Sequence, residues 1–371
     1  MKTSELEVWP ISQSTIADYQ MCARKGYYSS PYGGLGHRPH FERIKTFFGT
    51  LFHECLKKYY RESRMFSPAY YIREVFREQV EERQRKAGTI APIEWFEEAF
   101  ESMGVVEHLL RAYGDWAREY DGEFNDNNLT FMHIEKPFAV PWTVDGEAYT
   151  VTGIWDSIVR HNDTGKIYVF ETKTTSSPEK LISSLHYDWQ PRLYTWALAQ
   201  SYGLEVAGVI YNVAMQTNPY HIEILNNGLP TRSQAKLIGV DPVRYEQVCR
   251  EAFIGWGANR TPAAIRSKQQ EYETTIRNMR YVFPPLFQRH FFDVTPQMRD
   301  SFERQLGQRL KTVRTEQLRG SEATPAWNKF TCNMFGRCPF ADVCEAHDRG
   351  GDWQAVLQEQ FPNRKEVVSE D

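Results

Sequence analysis

The chain is expected to fold as an α/β protein, with a mixed central sheet, flanking helices and a large helical insertion. Two observations predict this. Residues from Thr130 to Thr172 read as a three-stranded meander, rich in β-formers and punctuated by Asp145-Gly146 and by Asn162-Asp163-Thr164-Gly165. The sequence on both sides instead carries apolar residues at the spacing of amphipathic helices. A helix and another strand follow the meander directly, so strands and helices are interleaved along the chain.

Taken in order, the first helix falls within residues 12–28, with Ser12 and Ser14 as candidate caps. A second amphipathic helix holds Phe47 to Tyr60, and a helical block runs on to about residue 120. Within it, Ser67-Pro68 is a cap followed by proline at the first helical position, and Pro92 opens another long helix. The strands of the meander are Phe131 to Val140, Tyr149 to Arg160 and Lys166 to Thr172. A helix from Trp189 to Tyr202 closes at Gly203, and Val206 to Met215 and His221 to Leu225 read as further strands. Beyond residue 230 the chain returns to helices, one of them capped by Thr295-Pro296 and running to Arg319 before Gly320. The polar tail after Gly350 is expected to fray. The organisation that follows is N-terminal helices over 1–60, a helical insertion over 61–128, a sheet-bearing core over 129–230, a C-terminal helical region over 231–349 and a flexible tail over 350–371.

Composition sets the class. The chain has 371 residues, 41% hydrophobic and 25% charged, as in an ordinary globular protein. It contains no apolar run of the roughly 18 residues that a membrane span needs. The start, MKTSELEVWP, lacks the apolar region of a signal peptide, so a cytoplasmic location is expected. Six cysteines in a reducing compartment read as ligands or buried thiols rather than disulfides. A net charge of −4 argues mildly against nucleic-acid binding, but only a groove has to be positive. No G-x-x-x-x-G-K-[ST] loop is present, so the chain has no nucleotide-driven motor of that kind.

Three short pieces carry candidate chemistry: Gly153 to Asp156 near the end of one strand, Glu171-Thr172-Lys173 at the end of the next, and His53 on the helix after Gly49. Residues two apart in a strand share a face, so Glu171 and Lys173 point the same way, and the intervening turn brings Asp156 close to Glu171. Two carboxylates on adjacent strands make a hard-oxygen site for Mg²⁺ or Mn²⁺, and a neutral imidazole adds a nitrogen donor. Lys173 can orient water or stabilise charge developing on a phosphate. Taken singly, each piece has an ordinary reading: an E-x-K triplet is usually a solvated face, an aspartate after a strand a turn former, and a lone His a packed or surface residue. His53-Glu54 lacks the second histidine of a zinc-protease helix.

The order of the pieces is more telling than any one of them. Gly49 to His53, Gly153 to Asp156, Glu171 to Lys173 and Gln190 to Tyr194 resemble the G-x-x-x-H, G-x-x-D, E-x-K and Q-x-x-x-Y series of the RecB-like PD-(D/E)xK nucleases. That resemblance implies a metal held by His53, Asp156, Glu171 and the Thr172 carbonyl, with Gln190 and Tyr194 beside the site helping to hold DNA. Gln190 and Tyr194 lie on one helical face. Pro191 departs from an easy match, because the residue before proline avoids a fully helical backbone, which places Gln190 at the helix start.

Cys332, Cys338 and Cys344 are separated by five residues each, and Cys22 lies far upstream. Zinc knuckles favour shorter spacings, although a four-cysteine zinc site and unrelated thiols stay open on spacing alone. With Tyr19, Cys22 and Lys25 upstream and Cys338-Pro339-Phe340 downstream, the set resembles the iron–sulfur staple of RecB-like nucleases of the AddB type and of CRISPR-associated exonucleases. This implies a 4Fe-4S cluster clamping the two ends of the chain. Cys55 and Cys249 read as small buried hydrophobes. The resemblance as a whole implies a DNA exonuclease acting on single strands or ends in recombination, repair or phage DNA processing, with a separate helicase or recombination protein as a partner. A spacer-trimming nuclease of CRISPR adaptation and a non-catalytic DNA-binding subunit are the alternatives. Tyr59, Tyr60, Tyr70 and Tyr71 beside Arg73, Arg77, Arg83, Arg85 and Lys86, and a second basic set of Arg304, Arg309, Lys311 and Arg314, are candidate DNA contacts, although each taken singly reads more readily as part of an ordinary amphipathic helix.

Overall fold

The computed structural model describes residues 10–361 apart from 40, 259, 324, 326–328, 334 and 335. The chain opens with β1 (Pro10–Ser12), α1 (Gln13–Met21), α2 (Ala23–Ser29), α3 (Ile44–Arg61), α4 (Ile72–Ala87) and α5 (Ile93–Glu119). The meander follows as β2 (Leu129–Val144), β3 (Glu147–His161) and β4 (Ile167–Thr175). Then come α6 (Pro178–Ser184), α7 (Gln190–Tyr202) and β5 (Val206–Met215). The rest comprises α8 (Gln234–Leu237), α9 (Pro242–Gly257), α10 (Pro262–Tyr281), β6 (Phe287–Asp293), α11 (Pro296–Arg319), α12 (Lys329–Asn333), α13 (Ala341–Asp348) and α14 (Trp353–Gln360).

The strands form one mixed sheet in the order β1-β3-β4-β5-β6, with β2 also paired to β3. β4 and β5 are parallel because α7 carries the chain back across the sheet between them, while β3–β4 and β5–β6 are antiparallel. One face of the sheet packs on α3, α4 and α5 through Phe47, Leu51, Phe52, Leu109, Tyr113 and Phe170. The other packs on α7 and α11 through Trp155, Val169, Leu193, Trp196, Phe302 and Leu306. This is the mixed α/β architecture expected. Local signals set several element ends. Ser12 accepts the Thr15 N–H at 3.1 Å and so starts α1. Thr295 caps α11, and Gly203 ends α7 in the left-handed conformation that glycine adopts at low cost.

Three expectations need correction. His221 to Leu225 does not form a strand; only an isolated bridge, Ile224 to Pro230, remains where Asn226-Asn227-Gly228 turns the chain. β1 and β6 were not foreseen. β1 has only three residues, and β6 follows Pro284-Pro285 with Gln288, Arg289 and His290 interrupting its apolar pattern. Past Gly350 the chain is still helical over α14, whose Leu357 is buried against Tyr28; residues 362–371 lie outside the described set.

Candidate active site

The site lies where two strands part. The β3–β4 ladder covers only Ser157 to Arg160 against Phe170 to Ile167. Before Ser157, that edge of β3 pairs instead with β1, at Thr150 to Thr152. Beyond Phe170, β4 is held only by β5. Asp156 and Glu171 are therefore the first residues on the two arms of a fork. The backbone N–H of Thr172, without a β3 carbonyl to bond, donates to Asp156 Oδ2 at 2.9 Å.

Two glycines allow the surrounding elements to close in. A Cβ on Gly49 would lie 3.1 Å from Thr174 Oγ1, so its absence lets α3 approach β4. A Cβ on Gly153 would lie 2.5 Å from the Phe138 ring, which covers that position from β2. One turn after Gly49, His53 places Nδ1 3.4 Å from Asp156 Oδ2. From the other side, α7 begins at Gln190, whose N–H bonds Asp188 Oδ1 at 3.0 Å while Pro191 takes the second helical position. The Gln190 side chain then reaches inward. Its Nε2 donates to Glu171 Oε1 at 3.0 Å and its Oε1 accepts from Lys173 Nζ at 2.8 Å. Lys173 Nζ also lies 2.6 Å from Glu171 Oε1. Tyr194 follows one turn later on the same helical face as Gln190, and its carbonyl accepts from Trp155 Nε1 at 3.0 Å, fixing α7 to β3. His53, Asp156, Glu171, Thr172, Lys173, Gln190 and Tyr194 thus surround a single point of the fold.

The charges are strongly coupled. Burial and the neighbouring Asp156 push the Glu171 carboxyl up to about 7. Burial also opposes ionisation of Asp156, but His53, Lys173 and the Thr172 N–H outweigh it and hold this carboxyl below its usual range. Burial alone would lower His53 and Lys173; Asp156 acting on the first, and Glu171 with Asp156 on the second, raise both instead. Glu171 is 2% exposed, and its Oε2 is buried without a hydrogen-bond partner. Two carboxylates, an imidazole and an unsatisfied buried oxygen suit a hard divalent cation. Among the described residues, however, no three His, Cys, Asp or Glu side chains are grouped closely enough to hold an ion by themselves, so water or backbone oxygen would have to complete a shell.

Sequence reasoning missed two neighbours. Glu135 on β2 has φ of 52°, a left-handed backbone rare for a non-glycine residue in a strand. It lies between register pairs Ile134–Ser157 and Lys136–Trp155, opposite Asp156. Lys57 Nζ is 3.8 Å from Glu135 and 3.0 Å from Glu54. The available signal was Lys57, which falls four residues after His53 on the same helical face. The aromatic and basic stretch also needs revision: Tyr59, Tyr60 and Tyr71 are buried and cannot stack on bases, and Arg83 is held by Glu42 and the Phe47 ring. Tyr70 remains exposed, stacked on Phe66.

The four cysteines singled out border one cavity, but among the described residues they are not grouped closely enough to hold a metal ion by themselves. Cys22, at the joint between α1 and α2, lines one cavity of about 710 Å³ with Cys332, Cys338 and Cys344. Beside it, Tyr28 packs with Phe340, Val343, Leu357 and Phe361. Arg24 pairs with Asp348 at 2.7 Å, and the Tyr28 hydroxyl lies 3.1 Å from His347 Nδ1. The early and late parts of the chain are therefore joined by ordinary packing. Burial raises Cys344 to about 11 and raises Cys338 as well, so thiolates there would need a cation beside them. Cys55 and Cys249 are buried in two other cores.

The sequence model of the PD-(D/E)XK nuclease superfamily matches residues 10–345. No curated protein matches the chain. Among solved structures, "Crystal structure of SSO0001" is 18% identical with a TM-score of 0.20; the match covers 46% of this chain and 61% of that one, a likeness too slight to carry an argument. No helix among the described residues is long and apolar enough to cross a membrane. With a family match spanning nearly all of the described sequence and falling on a mixed sheet flanked by helices, the chain belongs to the PD-(D/E)XK nuclease superfamily.

Proposed function

We propose that this protein hydrolyses DNA phosphodiester bonds with Mg²⁺ or Mn²⁺, as an exonuclease acting on single strands or ends in recombination, repair or phage DNA processing. The observation that carries this reading is the fork, which gathers Asp156, Glu171, Lys173 and His53 at the diverging ends of β3 and β4. In it, His53, Asp156, Glu171 and the Thr172 carbonyl would hold the cation. A bound cation supplies Lewis acidity to the scissile phosphate and lowers the pKa of attacking water. The chain's own groups do the rest. Lys173 keeps its proton, because Glu171 and Asp156 stabilise the ammonium, so it serves as a donor that orients water and meets negative charge on the phosphate. Gln190 fixes the Lys173–Glu171 pair, and Tyr194 supports Gln190 at the edge that DNA would approach.

The cysteine cavity is assigned a 4Fe-4S cluster held by Cys22, Cys332, Cys338 and Cys344. Four thiols around one space at the junction of the chain's early and late segments support this assignment. A separate helicase or recombination protein could serve as a partner. The deciding experiment is cleavage of linear and circular, single- and double-stranded DNA in Mg²⁺ or Mn²⁺. Degradation from ends, with closed circles spared, is expected. Cutting of closed circles would make the enzyme an endonuclease, and folded protein inert on every DNA would favour a non-catalytic DNA-binding subunit.

A further inference from the structure

On the face of the sheet opposite Glu171 and Lys173, three polar residues stand in register across three strands. Thr172 of β4 pairs with Asn212 of β5, and Asn212 pairs with Arg289 of β6. All three side chains are hidden: Thr172 is 5% and Asn212 1% exposed, and the Arg289 side chain is fully buried. A guanidinium under a sheet is costly unless every donor is used. Here Arg289 pairs with Asp126, donates to the Phe124 carbonyl, and reaches the hydroxyls of Tyr60 and Tyr113, each at 3.3 Å. Those two hydroxyls bond each other at 2.7 Å. Two helices and three strands thus converge on one buried charge.

The chemistry of the donors gives this row a direction. Arginine can only donate. Its Nε lies 3.4 Å from the Asn212 side chain and the Tyr113 hydroxyl lies 3.2 Å from the same atom, so the Asn212 oxygen must face them. The amide NH₂ is then turned to the other neighbour, Thr172 Oγ1, at 3.5 Å. Thr172 is the residue between Glu171 and Lys173, and its N–H holds Asp156. It also lies on the arm of the fork that has lost β3 as a ladder partner, where the backbone is least constrained by the sheet.

We propose that the row Arg289–Asn212–Thr172 is a positioning device for the reaction assigned above: a buried charge orients Asn212, and Asn212 fixes the pleat at Thr172, so that Asp156, Glu171 and Lys173 keep their mutual geometry. The inference rests on the nuclease reading, but its central claim concerns cation binding, which can be measured without cleavage. None of the three side chains faces the reacting phosphate; each acts through the backbone of β4.

The test uses Thr172→Val, which removes Oγ1 while preserving shape, the N–H to Asp156 and the carbonyl, together with Thr172→Ser, which restores the hydroxyl. Asn212→Ala in the full-length protein removes the amide, and with it both the oxygen that faces Arg289 and Tyr113 and the NH₂ that faces Thr172. Mn²⁺ affinity is read by electron paramagnetic resonance, cleavage under single-turnover conditions, and folding by thermal melting. Loss of a group that orients metal ligands costs about 10–100-fold in affinity or rate. Thr172→Val and Asn212→Ala are expected to weaken Mn²⁺ binding about tenfold and slow cleavage in step, with Thr172→Ser recovering most of the Mn²⁺ affinity that Thr172→Val loses. Thr172→Val that melts like wild type and binds Mn²⁺ with wild-type affinity overturns the proposal. If the wild type binds Mn²⁺ but cleaves no DNA, the nuclease reading fails, while the Mn²⁺ comparison still decides whether the row positions the site.

Discussion

The fork and the cysteine cavity are both candidate metal centres, and they are built in opposite ways. At the fork Asp156, Glu171 and Lys173 come from adjacent strands of one hairpin held by a ladder of four register pairs, and α3 adds His53. Their side chains touch, from 2.6 Å for Lys173–Glu171 to 3.4 Å for His53–Asp156. At the cavity Cys22 and three cysteines from the late part of the chain line one space, with no group of three ligating side chains close enough to hold an ion among the described residues. Local register can preorganise charged groups to hydrogen-bond distance. Closure of distant segments brings thiols into one neighbourhood and leaves the final convergence to whatever they bind.

That contrast is open to direct attack. The largest effect is expected at the fork: Asp156→Ala or Lys173→Ala should lower single-turnover cleavage by at least about a hundredfold, the scale on which preorganised electrostatic groups act. DNA binding measured by anisotropy should survive. Full activity in either variant would detach the chemistry from the fork. At the cavity, anaerobically purified protein should be brown, with about four iron atoms per chain. Cys22→Ala should bleach it and lower its melting temperature, whereas Cys55→Ala, altering a thiol buried in another core, should keep the colour. Colourless protein holding one tight zinc would replace the cluster with a zinc site and leave the nuclease reading intact.

Smaller effects separate support from chemistry within the fork. Gln190→Ala and Tyr194→Ala should each cost about tenfold in cleavage, as expected for residues that orient others. A loss equal to that of Asp156→Ala in folded protein would move them into the reacting set. Protonation should have the mildest effect. The Glu171 carboxyl titrates at about 7, against an ordinary value of 4.5, and a cation binds only its ionised form. Cleavage at limiting Mg²⁺ should therefore rise as pH approaches 7, and the rise should move to lower pH when Mg²⁺ is raised. A carboxyl that holds its proton more tightly when folded destabilises the fold as it ionises. In EDTA the melting temperature should fall between about pH 4.5 and about pH 7, and Mg²⁺ should flatten that slope. His53, also raised, acts in the same direction as pH climbs through its folded value. A flat melting profile in EDTA would show that Glu171 is not under this strain.

Much of the fork was legible because its parts obey short-range rules. Alternation along β4 put Glu171 and Lys173 on one face, Asp145-Gly146 and Asn162 to Gly165 marked the turns, and Pro191 placed Gln190 at the start of α7. Glu135 was invisible for the same reason. Its approach to Asp156 depends on a left-handed backbone that no residue pattern encodes, and on a bulge between Phe131 and His133 that resets the register of β2. Arg289 was missed because β6 was missed; a charged residue in a short mixed segment reads as surface until its partners on α3, α5 and β5 are known. The aromatic run after His53 misled in the opposite sense, since Tyr59, Tyr60 and Tyr71 pack inward.

The parting of β3 from β4 has a consequence for how such a protein could be switched off. Backbone groups that a continuous sheet would consume are left available here, as the Thr172 N–H shows. Zipping the two arms together by another pair or two would return those groups to the ladder and cost Asp156 its bond from the Thr172 N–H. A binder that stapled β3 to β4 at the mouth of the fork would thus disturb the candidate site without touching its charged side chains, and a selection for such binders would be steered by strand geometry rather than by charge.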